Sequence, residues 1–189
     1  MPTARDPLTI VSILGTSRPG SLTARVLELV VGHLRDETGI EVISIDPAAL
    51  ALPFPGQPGS YPDVDRIQGW VRSAAGAVVA TPEYHGSYAA MLKLVIENLG
   101  YPSLLANKPV ALVGVAAGRG GAEKTLAHLH GVCQHLGAIP VPDAISVPQV
   151  HKLFDGEGRC LDAALLARTR VLAASLVALA RAPAVTGAR

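Results

Sequence analysis

Two apolar runs constrain this chain more than any other feature. Residues 76–80 (Gly-Ala-Val-Val-Ala) and 109–115 (Pro-Val-Ala-Leu-Val-Gly-Val) hardly alternate between polar and apolar. A strand wetted on one face alternates; a strand covered on both faces does not, and such coverage is the rule in parallel sheets. Residues 8–14, 41–45 and a weaker run at 138–141, extending towards Ile145, supply three more strands. Between the runs the apolar period becomes helical. Leu22, Val26, Leu29, Val30 and Leu34 mark one helix, and Val64, Ile67, Val71 and Ala74 a second. Tyr88, Met91, Leu92, Val95, Ile96 and Leu99 mark a third, running to Gly100. A fourth spans 122–136 and stops at Gly137, a natural C-terminal cap, and a fifth spans 161–180. Strands alternating with helices predict a doubly wound α/β sheet with helices on both faces and ligands beyond the C-terminal strand ends.

The 189 residues suffice for one core and are few for two, so a single domain is expected over 8–181, between an N-terminal extension (1–7) and a flexible C-terminal tail (182–189). With 49% hydrophobic and 16% charged residues, the chain is too apolar to be disordered over most of its length. A net charge of +1, with no Lys/Arg run, gives no field for nucleic acid. Cys133 and Cys160 form neither a CxxC nor a zinc spacing and read as buried thiols. The opening residues lack the apolar stretch of a signal peptide, and no run approaches the ~20 apolar residues of a membrane span. A cytoplasmic protein with no membrane partner is the expectation. Two long connections, 46–63 and 148–159, are rich in Pro or Gly.

The turn after the first strand reads Gly15-Thr16-Ser17-Arg18-Pro19-Gly20-Ser21 and leads into a helix. A helix entry offers free backbone N–H groups and a positive dipole end. Hydroxyls from Thr16, Ser17 and Ser21 and the Arg18 guanidinium add donors suited to a terminal phosphate. An ordinary turn with Ser21 as helix cap is the simpler alternative. Two more loops open on the same rim: residues 81–87 (Thr-Pro-Glu-Tyr-His-Gly-Ser) and 116–121 (Ala-Ala-Gly-Arg-Gly-Gly). Tyr84 offers an aromatic wall, and the glycines let backbone approach a ring face closely. A flat, polar-edged heterocycle with a phosphate tail suits the three together.

These motifs, in this order, resemble the NADPH-dependent FMN reductase family, a flavodoxin-like group that includes quinone, chromate and azo reductases. The family's Gly-Ser-x-Arg-x-x-Ser is matched by Gly15, Arg18 and Ser21, with Thr16 for its serine. Its Pro-Glu-Tyr-Asn-x-Ser is matched by Pro82, Glu83, Tyr84 and Ser87, and a downstream Leu-Lys-Asn-x-Ile-Asp is kept as Leu92-Lys93-Leu94-Val95-Ile96-Glu97. The resemblance implies a five-stranded parallel sheet in the order 2-1-3-4-5. It implies FMN as cofactor, with phosphate contacts at Thr16, Arg18 and Ser21 and with Ser17 in the same loop. It also implies ring contacts at Pro82, Glu83 and Tyr84, largely through backbone, with Gly118 bordering the other side. His85 stands where the family usually has asparagine, beside the expected ring, and there it could donate to the flavin edge or to an acceptor.

The implied reaction passes hydride from NADPH or NADH through flavin N5 to a small-molecule acceptor, namely free flavin, a quinone, an azo compound or a metal oxyanion. The cofactor carries that chemistry, so no catalytic side chain is nominated. The alternative is a non-catalytic flavodoxin-like electron carrier, against which the charge of +1 counts. A nicotinamide-binding Rossmann domain, with Asp46 on a ribose, is disfavoured because the first loop lacks Gly-x-Gly-x-x-Gly. Lys124-Thr125 is preceded by Glu123 rather than the glycine of a Walker loop, and Pro19 breaks a nucleophile elbow at Ser17. His128, His130 and His135 share no acidic partner, so no metal is expected. The broad apolar stripe of the third helix, flanked by Lys93 and Glu97, predicts a homodimer or a homotetramer, in agreement with the resemblance.

Overall fold

The computed structural model describes residues 7–182; the expected tail beyond Ala182 and all but Pro7 of the expected extension lie outside the described residues. In chain order the elements are β1 (Leu8–Leu14), α1 (Leu22–Arg35), β2 (Ile40–Ile45), α2 (Pro62–Ser73), β3 (Gly76–Tyr84), β4 (Ser87–Tyr88), α3 (Ala90–Glu97), β5 (Pro109–Val115), α4 (Glu123–Leu136), β6 (Ile139–Pro140), β7 (Ile145–Val147) and α5 (Ala163–Arg181). The sheet runs β2-β1-β3-β5-β6, with all neighbours along this path parallel, and β7 also pairs with β5. This is the flavodoxin-like order 2-1-3-4-5, with the fifth place shared by two short strands. β6 pairs with the start of β5 and β7 with its end. Between them Pro142 has no N–H to give, and Asp143 takes a φ of 64°, so the chain leaves the sheet and returns.

The third strand differs from the sequence reading. It does not stop at Ala80: Thr81 and Pro82 still pair with Gly114 and Val115 of β5. Glu83 and Tyr84 then pair antiparallel with Tyr88 and Ser87. The expected loop 81–87 is therefore a strand end and a hairpin. Tyr88 belongs to β4, and α3 begins only at Ala90. The cause is His85-Gly86, whose φ values of 51° and 78° give the two-residue hairpin turn that matches strand twist.

Helices cover both faces, as the non-alternating strands require. On one face, Val26, Val30 and Leu34 of α1 and Leu172 and Leu176 of α5 bury Ile10, Val78 and Val113. On the other, Ile67, Val71, Leu92, Val95 and Leu129 from α2, α3 and α4 bury Val11, Ile13 and Leu112. Among the described residues α5 is the one helix long and apolar enough to cross a membrane. Leu165, Leu172, Ala173, Leu176 and Val177 instead spend its apolar face on the core.

The C-terminal ends of β1, β3, β5 and β7 form one rim. Loop one is seated on it by Gly15, whose N–H donates to Ala80 O at 2.7 Å. A Cβ at Gly15 would stand 2.8 Å from that same oxygen and 3.0 Å from the Cβ atoms of Thr81 and Leu92. This glycine is a packing requirement. Gly15→Ala is expected to destabilise the fold by about 1–3 kcal/mol, read as a lower urea midpoint with an unchanged slope.

Candidate functional site

The helix entry has the anatomy the sequence suggested. Ser21 caps α1, its Oγ accepting from the Thr23 N–H at 3.1 Å, and the buried Thr16 Oγ1 accepts from the Arg18 N–H at 3.2 Å. A hydroxyl that accepts still has its own proton to donate. Capping and anion binding are thus compatible at Ser21. Ser17 and Arg18 stand exposed at the mouth, and the first amides of α1 lack intrahelical partners.

The hairpin is held on three sides. Thr81, fully buried, accepts from the Ala89 N–H at 3.0 Å and donates to Pro82 O at 3.1 Å. Thr125 of α4 donates to Glu83 Oε2 at 3.1 Å, and Ser87 Oγ lies 3.0 Å from His128 Nδ1. One oxygen of the Glu83 carboxylate is thereby tied to α4, and Tyr84 and His85 are the hairpin's exposed side chains. Loop four is pinned at its far end. The Ala122 N–H donates to Ser146 Oγ at 2.8 Å, and Gly121, at a φ of 66°, lets that serine approach where a side chain would clash.

These pieces enclose a cleft of about 460 Å³. Arg18 and Ser21, Pro82, Glu83 and Tyr84, and Ala116 and Ala117 all line it, so five of the nine sequence-predicted residues meet there. Thr16 and Ser17 line an adjoining pocket of about 390 Å³ behind loop one, which shares Arg18, Gly20 and Ser21 with the cleft. His85 and Gly118 line neither. His85 sits exposed at the hairpin tip with a φ of 51°, a region where asparagine and histidine are both enriched among non-glycine residues. The turn therefore accepts histidine in place of the family's asparagine without rearrangement. Gly118 follows Ala117 on the rim, and the space its Cβ would take is open.

Val150 and His151 also line the cleft, and neither carried a signal in the sequence. They arrive through a 3-10 turn, Val150–Lys152, entered by Gln149 at a φ of 45°. Elsewhere, Cys133 is buried, and burial pushes its thiol up to about 11, far from nucleophilic use. His128 serves the hairpin, and His130 Nδ1 lies 2.8 Å from Leu126 O. Among the described residues no three His, Cys, Asp or Glu side chains are grouped to hold a metal.

The cleft fits a phosphorylated flavin in its chemistry. Donors and a guanidinium stand at one end, an aromatic and hairpin backbone at another, and small residues between. A family model described as NADPH-dependent FMN reductase matches residues 8–152. The chain is similar, at 30% identity over 168 residues (83% of this chain, 86% of the relative), to an NAD(P)H-dependent FMN reductase of Pseudomonas aeruginosa. It is 32% identical over 155 residues (76% and 80%) to an FMN-dependent NADPH-azoreductase of Staphylococcus haemolyticus. Among solved structures, the flavoenzyme NAD(P)H:(acceptor) oxidoreductase of Paracoccus denitrificans superposes with a TM-score of 0.72. At 22% identity, covering 90% of this chain and 98% of that one, it speaks for the fold. The family match spans every strand of the sheet and the whole cleft through His151, and the chain belongs to the NADPH-dependent FMN reductase family of FMN-linked oxidoreductases.

Proposed function

We propose that the 460 Å³ cleft is the FMN site of an NAD(P)H-dependent reductase acting on small-molecule acceptors. The observation that carries this reading is the convergence of Arg18 and Ser21 with residues 82–84 and 116–117 on one cavity. When bound, FMN would supply the redox chemistry that links the nicotinamide to the acceptor. The protein supplies position. Arg18, the Ser21 hydroxyl and the first amides of α1 hold the phosphate, with Thr16 and Ser17 completing the loop from behind. The backbone of Pro82, Glu83 and Tyr84 meets the ring edge, and Gly118 and its neighbours border the other side. Free flavin, quinones, azo compounds and metal oxyanions remain the acceptor classes, and the cytoplasm is the compartment where NAD(P)H is at hand. The net charge of +1 departs from the acidic balance expected of a flavodoxin-type carrier, which favours the reductase.

Arg18→Ala tests the cradle. A charge-assisted contact worth about 1.5–3 kcal/mol is lost only when phosphate is present, so FMN affinity should fall by about 10- to 100-fold while riboflavin affinity holds. Equal losses in parallel fluorescence titrations would remove Arg18 from the phosphate site.

His85, at the hairpin tip beside Tyr84, is placed on the acceptor side of the rim in this reading. Asparagine also accepts the left-handed backbone of the turn. His85→Asn should therefore leave the thermal melt unchanged while altering acceptor turnover at saturating flavin. Unchanged turnover would leave His85 with the turn alone.

A homodimer belongs to the same reading, with a homotetramer as a further assembly. Three residues of the predicted stripe, Leu92, Val95 and Leu99, are fully buried in the core of the chain itself and are unavailable to a partner. What supports the dimer is a groove of about 730 Å³ between α3 and α4, lined by Lys93, Ile96, Glu97, Val132 and Leu136, with Tyr101 exposed at its end. Light scattering should give at least twice the 19.5 kDa chain mass at micromolar concentration; the single-chain mass would refute assembly.

A further inference from the structure

The connection from β7 to α5 is a strap tied at both ends. At its start, the Ala116 N–H donates to Val147 O (2.9 Å), the Gln149 N–H to Gly118 O (3.1 Å) and the Val150 N–H to Ala116 O (3.1 Å). Val150 is buried in the cluster that contains Val26 of α1, and Leu153 and Phe154 pack on the same cluster. Further on, the Arg25 guanidinium of α1 lies 6.0 Å from the centroid of the Phe154 ring. Gly158 stands against that guanidinium, where a Cβ would come within 3.4 Å of Arg25 Nη1. The Leu161 N–H closes the strap on Leu153 O at 2.8 Å. The strap therefore runs from loop four to the opening turns of α1.

That path explains where His151 goes. It follows the buried Val150, after a turn that Gln149 can make only at a positive φ, a conformation costing about 1–3 kcal/mol that the three bonds to loop four hold in place. The side chain is exposed and lines the cleft with Arg18, Gly20 and Ser21 of the cradle. The charged or titratable side chains that line the cleft with it are Arg18 from loop one and Glu83 and Tyr84 from the hairpin, with Lys152 next to it in the chain, while Arg25 and Asp46 line the adjoining pocket. Of the two carboxylates, Glu83 accepts from Thr125 through Oε2 and Asp46 accepts from the Ala48 N–H through Oδ1. An anion beside His151 would meet the Arg18 guanidinium and the Ser21 hydroxyl in the same cleft.

We propose that His151 is a phosphate-recognising residue: a ring N–H carried by the strap donates to the 5′-phosphate of the flavin, completing the cradle that loop one begins. An imidazole has an N–H donor in either protonation state, so a donor to the phosphate is present in both. The proposal rests on the cleft being the flavin site, and the test separates the two.

FMN and riboflavin are titrated into flavin-free wild type, His151→Ala, His151→Gln and His151→Lys at fixed pH and salt, with thermal melts as a check on folding. The readout is the ratio of the two dissociation constants. His151→Ala should lower the preference for FMN by about five- to tenfold, the loss expected for one hydrogen bond of about 1 kcal/mol, with riboflavin changed less than about twofold. His151→Gln and His151→Lys, which keep an N–H donor, should recover part or all of the preference. Equal losses for both flavins, or an unchanged preference with slower acceptor turnover, would overturn the assignment. Wild type that does not prefer FMN would overturn the cradle reading itself, whereas a preference abolished by Arg18→Ala and untouched by His151→Ala would overturn only the role of His151.

Discussion

The rim depends on one joint, where loop one rests on β3. The Gly15 N–H reaches Ala80 O, and there is no room for a side chain between the loop, Thr81 and Leu92. One residue further along, Thr81 takes the Ala89 N–H and gives its own proton to Pro82 O in a fully buried position. A donor left there without a partner would cost roughly 1–3 kcal/mol. Two neighbouring residues of β3 thus fix loop one on one side and the start of α3 on the other. The spacing between loop one and the hairpin, the two sides of the cleft, is therefore set by β3 rather than by the loops.

This arrangement explains why the sequence was legible where it was. The interior strands β3 and β5 are apolar over residues 76–80 and 109–115 because both faces are covered, so the fold class followed from those two runs. Loop one could be read because its signals are local: Ser21 caps the helix it precedes, and Arg18 sits in the same turn. Boundaries failed where a tertiary pairing overrode the local pattern. Tyr88 has helical spacing with Leu92 and Val95, yet it pairs with Glu83, because His85-Gly86 turns the chain at positive φ. The usual sequence signature of such a turn is Asn-Gly or Asp-Gly, so His-Gly was easily passed over. The stripe on α3 misled for a related reason. Leu92, Val95 and Leu99 face the sheet of their own chain, and periodicity cannot tell a core face from an interface.

The strap was illegible for a different reason. Nothing in the order Pro148-Gln149-Val150-His151 says which way a side chain points. That direction comes from a left-handed glutamine and from bonds to a loop more than thirty residues earlier in the chain. Cation–π contact and glycine packing around Arg25 then press the strap onto α1. Residues brought to a site by non-local bonds leave no periodic trace, and a connection rich in Pro and Gly conceals them further.

The same hairpin that edges the cleft is also a wall of the helix layer behind it. Ser87 meets His128, and Glu83 meets Thr125, both on α4. His128 in turn lines the groove between α3 and α4. To shift Tyr84 away from the cleft, the chain must break both contacts, at about 0.5–1.5 kcal/mol for each hydrogen bond, and disturb the Thr81 joint as well. The polar atoms that hold the hairpin are spent on α4, so the surface left facing the cleft is backbone, aromatic ring and small side chains. The chemistry of that surface matches the edge and face of a flat heterocycle.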